Sequence, residues 1–527
     1  MRRIVVTSLT LALAGALLPA PAGAGTAFRS GPGTWADFNG DGHADLFAGA
    51  VFDVVGGNDF AGAANVIYGR RGGITPRGNQ WWHQNRPGVK GAAASGDEFA
   101  WSIAGGDFDG DGRDDLAVGI YGETVNGVDG AGAVQVFYGS PRGLRAKGNQ
   151  LWHQDRPGIA EKAEPSDHFG MRVAAGDLDG DGRDELLVGV PYEQVNGMVG
   201  AGAVHVIRGG PNGLRSQGDQ LWHQGRPGVN GDPGGNDFFG FELAVGDFGK
   251  GPGLDLAVGA PGEDTAGQNA SGAVHLLYSG PDGLRPRGDR VFSLASPNVP
   301  GDPMLGDFFG MTMAAGNFGK GGRDDLAIGV IAADVGGANG AGVVVVLHGS
   351  GGGLRTQGVQ VWHQDRPGIA DAAETGDQFG WMLAAGDMGK SGHDDLAIGV
   401  PFEVLSGFGA AGAVHVVFGS KGGLRARGDQ YWHQDRGGVK ETVEASDFFG
   451  MYLMSGDFGR GPKMDLAISA PGETLNGINF AGAVHVLYSK RNGPAKRGNQ
   501  LWHQDRPRIK GAVSLGDHFG VLTRFID

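Results

Sequence analysis

The chain has 527 residues, 40% of them hydrophobic, with 105 glycines, no cysteine and a formal charge of −15. An acidic balance argues against nucleic acid and anionic membranes as partners. Without cysteine there are no disulfide staples, and no apolar run after the N-terminus is long enough to span a bilayer.

Residues 1–24 read as a secretory signal. Arg2 and Arg3 form its charged start, residues 4–18 are mostly apolar, and Ala22-Gly23-Ala24 offers a small-x-small cleavage site. The blander reading is an N-terminal anchor. The expected product is a secreted protein cleaved near Ala24, with residues 25–36 leading into a repeat array over 37–527.

The first acidic loop begins at Asp37, and the same loop returns at Asp107, Asp177, Asp247, Asn317, Asp387 and Asp457, each 70 residues after the last. Two other landmarks keep this step. One is Trp82, Trp152, Trp222, Phe292, Trp362, Trp432 and Trp502. The other is the Phe of an Asp-x-Phe-Gly turn, at Phe99, Phe169, Phe239, Phe309, Phe379, Phe449 and Phe519, with Ala100 replacing Gly in the first turn only. A fixed period of tens of residues marks a solenoid, propeller or array.

The second repeat is read as four strands. Residues 99–106 lead into the acidic loop, 116–120 are apolar throughout, 133–138 are β-rich, and 150–154 carry Trp152. Residues 121–130 are a Gly/Asn-rich loop. With no helical periodicity and no room for a helix, the unit is a propeller blade. The predicted fold is an all-β, seven-bladed propeller. The last Phe-Gly is followed by residues 521–526, so the C-terminal strand is expected to complete blade one and close the ring; the competing reading gives blade one its own inner strand over 29–36, a poor strand with its Gly31-Pro32-Gly33.

Asp107, Asp109, Asp111 and Asp115 stand at loop positions 1, 3, 5 and 9 around a glycine turn, with the carbonyl of Arg113 at position 7. Alternate acids on one concave side suit a hard cation such as Ca2+. An EF-hand would need Glu at position 12, where Val118 stands, and flanking helices. Blade one keeps Asp37, Asn39, Asp41 and Asp45 with the His43 carbonyl. Blade three keeps Asp177, Asp179, Asp181 and Glu185 with Arg183. About three Ca2+ sites are therefore expected, in blades one to three.

Blades four to seven carry Gly or Ser at positions 3 and 5 and a basic residue at position 4: Lys250, Lys320, Lys390 and Arg460. The acid at position 9 persists as Asp255, Asp325, Asp395 and Asp465. Two readings stay open. Either the cation replaces the lost ion and pairs with the acid at 1 or 9, or it faces solvent.

The array resembles the FG-GAP repeat, on its Phe-Gly, its acidic loop and the Gly-x-Pro after the second strand (Gly189-Val190-Pro191, Gly259-Ala260-Pro261, Gly399-Val400-Pro401). That repeat builds the seven-bladed propeller of integrin α subunits. The resemblance implies Ca2+ in blade-edge hairpins and a role in adhesion or ligand binding. Leg domains, a membrane span and disulfides are missing from this sequence, so integrin signalling and subunit pairing do not carry over.

Scaffolding explains most repeated residues. His83, His153, His223, His363, His433 and His503 follow the Trp landmark one per blade, too far apart to act together. Glu123, Glu193, Glu263, Glu403 and Glu473 are read as structural. The aspartates of Asp-x-Phe-Gly either ring the channel mouth or cap a turn. Variation is where binding could reside. The tip of the loop after the second strand carries Val128, Met198, Phe408 and Ile478, with Phe60 and Phe480 two positions beyond the tip. These apolar residues are candidate partner contacts, on the face that binds ligand in integrins. The fourth blade is odd: Phe292-Ser293-Leu294 replaces Trp-His-Gln.

The expected function is a monomeric, non-catalytic module that binds a protein or a surface glycan. The alternative is a propeller-fold polysaccharide-degrading enzyme, or an accessory subunit of one, which would need symmetry-breaking acids or bases at the channel.

Overall fold

The computed structural model describes residues 36–522 apart from Lys250 and Lys390. The expected signal segment, most of the lead-in and residues 523–527 lie outside it. Seven blades of antiparallel strands form a ring, and among the described residues there is no helix.

Blade two runs Phe99–Gly106, Asp115–Ile120, Ala133–Tyr138 and Arg145–Trp152 from the channel outward. The three inner strands are wholly buried, whereas the outer one has exposed residues along its length. That explains the continuous apolar runs of the inner strands and the polar outer strand. The outer strand starts at Arg145, earlier than the sequence suggests, and ends at Trp152, leaving Gln154 in the following turn. Its Arg145 pairs with Tyr138 across a register shift, so the polar stretch before Gln150 is recruited to the sheet.

Blade one has three strands of its own, Leu46–Ala50, Ala63–Ile67 and Gln80–Trp82. The fourth place is taken by the chain end. Gly49 N–H donates to the Val521 carbonyl at 2.8 Å and Val521 N–H to the Gly49 carbonyl at 3.1 Å. The ring closes there as expected.

Facing blades share their cores. Between blades two and three, Val134, Val136 and Trp152 meet Phe169, Val173 and Val188. The six landmark tryptophans are buried. Each lies under an arginine four residues on: Arg86 over Trp82 at 3.9 Å, Arg156 over Trp152 at 3.8 Å, and likewise Arg226, Arg366, Arg436 and Arg506. Cation–π contact adds to apolar burial here. Ser296 stands where blade four would carry that arginine.

Candidate functional site

Strand direction sorts the loops. The acidic loops join first to second strands and lie on one face. The Asp-x-Phe-Gly turns and the tip loops lie on the other.

In each ion-binding candidate the position-1 aspartate organises the turn. Asp37 Oδ1 accepts from Gly40 N–H at 2.7 Å, and its Oδ2 from Gly42 N–H at 2.7 Å. Asp107 and Asp177 accept from Gly112 and Gly182 in the same way. Position 9 reaches from the second strand. Asp115 Oδ2 accepts from Phe108 N–H and Oδ1 from Gly139 N–H, and Asp45 does the same with Phe38 and Gly69. Glu185, one methylene longer, accepts from Leu178 N–H at 2.8 Å.

The carboxylates of Asp107, Asp109 and Asp115 come within 4.8 Å of one another, as do those of Asp177, Asp179 and Glu185. Blade one, with the amide of Asn39 at position 3, does not gather three acids so closely. Burial, then the Asp179 charge, pushes Glu185 up to about 8, and burial pushes Asp115 well above the usual carboxylate range. Such a group ionises readily only with a cation beside it. Oxygen-only donors at this spacing fit a hard divalent ion. Position 5 stands apart: Asp111 and Asp181 hold Arg113 and Arg183 at 3.1 and 3.2 Å.

The remaining blades neutralise the turn differently from the pairing considered above. Lys320 donates to the Gly358 carbonyl, and Arg460 to the carbonyls of Gly72 and Gly498, not to an acid at 1 or 9. Lys250 and Lys390 lie outside the described residues. In blades four and six the cation facing position 1 comes instead from position 7 of the next blade. Arg323 pairs with Asp247, and Lys463 with Asp387 at 2.5 Å. The acid at position 9 persists because it still clamps backbone: Asp465 accepts from Phe458 and Ser489 N–H, and Asp395 from Met388 and Gly419 N–H.

The Asp-x-Phe-Gly aspartates cap turns rather than ring the channel. Asp97 accepts from Ala94 N–H, and Asp167 from Glu164 N–H, both at 2.6 Å; the pattern recurs through Asp517. The repeated glutamates bind across blade joints. Gln154 Nε2 donates to Glu193 Oε2, Gln364 to Glu403, Gln434 to Glu473, and Gln504 to Asp53 at the closing joint.

On the tip face each tip is a tight turn with reciprocal backbone bonds, such as Val195 with Met198 and Leu405 with Phe408. Met198, Phe408, Phe60 and Phe480 are exposed, whereas Val128 and Ile478 are half-buried. Phe60 and Phe480 have φ of 55° and 53°, where the other repeats place Gly130, Gly200, Ala270, Gly340 and Ala410. They lie on neighbouring blades, one and seven. Phe480 meets His518 at 5.3 Å, His518 meets Phe52 at 5.4 Å, and Phe52 meets Phe60 at 5.5 Å between ring centroids. A second aromatic run crosses blades two to four: Trp101 stacks on Tyr121, Tyr121 on His168 at 3.8 Å, and Tyr192 and Phe238 follow.

Sequence reading missed two further features. Arg172 and Glu242 occupy one repeat position on adjacent inner strands and form a buried ion pair at 2.5 Å. They are symmetry-breaking charges, and aligning the third residue after each Phe landmark reveals them. Glu374, Asp377 and Glu403 also gather within metal-holding distance on the tip face, but Asp377 caps Glu374 N–H and Glu403 receives Gln364.

This is a seven-bladed β-propeller that carries FG-GAP repeats in blades two and three. The FG-GAP repeat model matches residues 99–137 and 169–207, the three inner strands of blades two and three. The chain is similar to human integrin alpha-IIb, 29% identical over 260 residues, 47% of this chain and 22% of the integrin. It is also similar to human phosphatidylinositol-glycan-specific phospholipase D, 27% identical over 487 residues, 86% of this chain and 54% of the phospholipase. The chain thus spans about a fifth of one relative and about half of the other. A periplasmic gluconolactonase of Pseudomonas aeruginosa aligns over 90% of this chain and 97% of its own, with 14% identity and a TM-score of 0.42. That distant likeness bears on neither activity nor substrate. Among the described residues no helix is long and apolar enough to cross a membrane.

Proposed function

We infer that this protein is an exported, calcium-stabilised propeller that binds a protein or a surface glycan through its tip face and performs no catalysis. The observation that carries this reading is the aromatic patch of Phe480, His518, Phe52 and Phe60. Two phenylalanines are held exposed at left-handed backbone positions that favour glycine. Such strain is retained where function uses the side chain, and exposed aromatic surface stacks against sugar rings or apolar side chains. Calcium enters through the loops of blades one to three on the opposite face, where it stabilises the blades without touching the ligand.

The test is binding of the calcium-loaded protein to a panel of polysaccharides and extracellular-matrix proteins, with Phe60→Ala/Phe480→Ala beside it. Saturable binding that the double variant loses supports the reading. Equal binding by the variant, or breakdown of any panel polysaccharide, overturns it.

A further inference from the structure

Six blade joints are closed by a polar pair and one is not. In the joint entering blade four the partners are Gln224, Glu263 and His275: Gln224 donates to Glu263 at 2.9 Å and His275 Nε2 lies 2.8 Å from the same carboxylate. One repeat on, between blades four and five, the three positions are Leu294, Ala333 and Val345. All three polar members are replaced by apolar ones together, and all three belong to one buried cluster. A joint that kept only one or two would strand a buried carboxylate or amide.

The exchange leaves space. Ala333 is shorter than the glutamate of the other joints, and a cavity of about 450 Å³ opens beside it on the tip face. Leu294, Ala333, Val343 and Val361 form its apolar part. Asp302 and Asp334 stand exposed at its rim, with Asp307 buried behind them and capping the Met304 N–H. Among the described residues no lysine or arginine lines it. Burial lowers the pKa of His363, which favours its neutral form. The size is that of a small-molecule site.

We propose that this joint binds a small ligand with an apolar body and a cationic head, of the alkylammonium class. The body replaces the missing polar pair against Leu294 and Ala333, and the head meets the rim carboxylates. This site is separate from the aromatic patch on blades seven and one, and does not depend on the reading given for that patch.

The experiment is calorimetric titration of the calcium-loaded protein with hexyltrimethylammonium, 1-hexanol and hexanoate. The ammonium is expected to bind at least tenfold more tightly than the alcohol, and hexanoate not at all. Ala333→Leu fills the floor without adding charge and is expected to weaken ammonium and alcohol alike. Asp302→Asn/Asp334→Asn is expected to weaken the ammonium at least fivefold and leave the alcohol unchanged. Asn at 334 can still accept the Gly340 N–H bond that Asp334 accepts at 2.9 Å, so this variant tests charge even if Ala333→Leu fails to fold. No binding of the ammonium, equal affinity for ammonium and alcohol, or indifference to the rim variant overturns the proposal.

Discussion

Gln154 Nε2 lies 2.5 Å from Glu193 Oε2 across the joint between blades two and three, with both side chains buried. Burial, followed by the Asp167 charge, pushes Glu193 up to about 8 from an ordinary value near 4.5. A carboxyl raised on folding holds its proton in the native state between those values. Its contribution is therefore full below about 4.5 and lost as pH rises through about 8. Glu403 and Glu473 are raised to about 8 as well. Without calcium, the melting temperature should fall from pH 5 to pH 8. Glu193→Gln should flatten part of that slope, and an unchanged slope in thermal melts would count against the joint as its source.

Calcium should reverse part of the loss. Calorimetry is expected to find two or three sites, with blades two and three the stronger. Affinity should rise with pH as Glu185 and Asp115 deprotonate. At a hundredfold excess over Kd, one site adds about 2.7 kcal/mol. Asp109→Asn should remove one site and leave the fold intact. A variant that still titrates with the full stoichiometry would show that blade two is not a site.

Asp465→Ala should cost about 1–3 kcal/mol whether or not calcium is present, because it strands the Phe458 and Ser489 amides. Lys320→Met should change stability by less than about 0.5 kcal/mol, since the half-buried Lys320 pairs with no acid and its ammonium only reaches the Gly358 carbonyl. Chemical denaturation of the two variants separates these expectations, and a large loss for Lys320→Met would restore the ion-replacement idea.

Much of this was legible because a repeat states each rule seven times. The 70-residue register gave blade number, strand order and closure by the C-terminal segment, which pairs with blade one through Val521 and Gly49. It located the acids of the loops, since alternate acids around glycine have few other uses. It did not show partners one blade away. Arg323 beside Asp247, and Gln154 beside Glu193, are 76 and 39 residues apart, and only the stacking of neighbouring blades joins them. The Arg172–Glu242 pair escaped because a repeat reading averages over the position where the blades differ. Strand ends were misplaced for a related reason: Arg145 to Asn149 is polar, and outer strands face water.

The two strained phenylalanines allow function and stability to be pulled apart. Phe60 is 54% exposed and Phe480 38%, so neither anchors the core. Each sits at a φ that an L side chain adopts at a cost and glycine adopts freely. Phe60→Gly should therefore leave the melting temperature unchanged or raise it, by about 0.5–1 kcal/mol at most in stability. The same change removes half of the patch that Phe52 and His518 hold together, and binding to the tip-face ligand should fall at least tenfold. If Phe60→Gly destabilises the protein and binding survives, the phenylalanine serves packing against Phe52. If stability holds and binding goes, the strain at residue 60 is retained for the ligand.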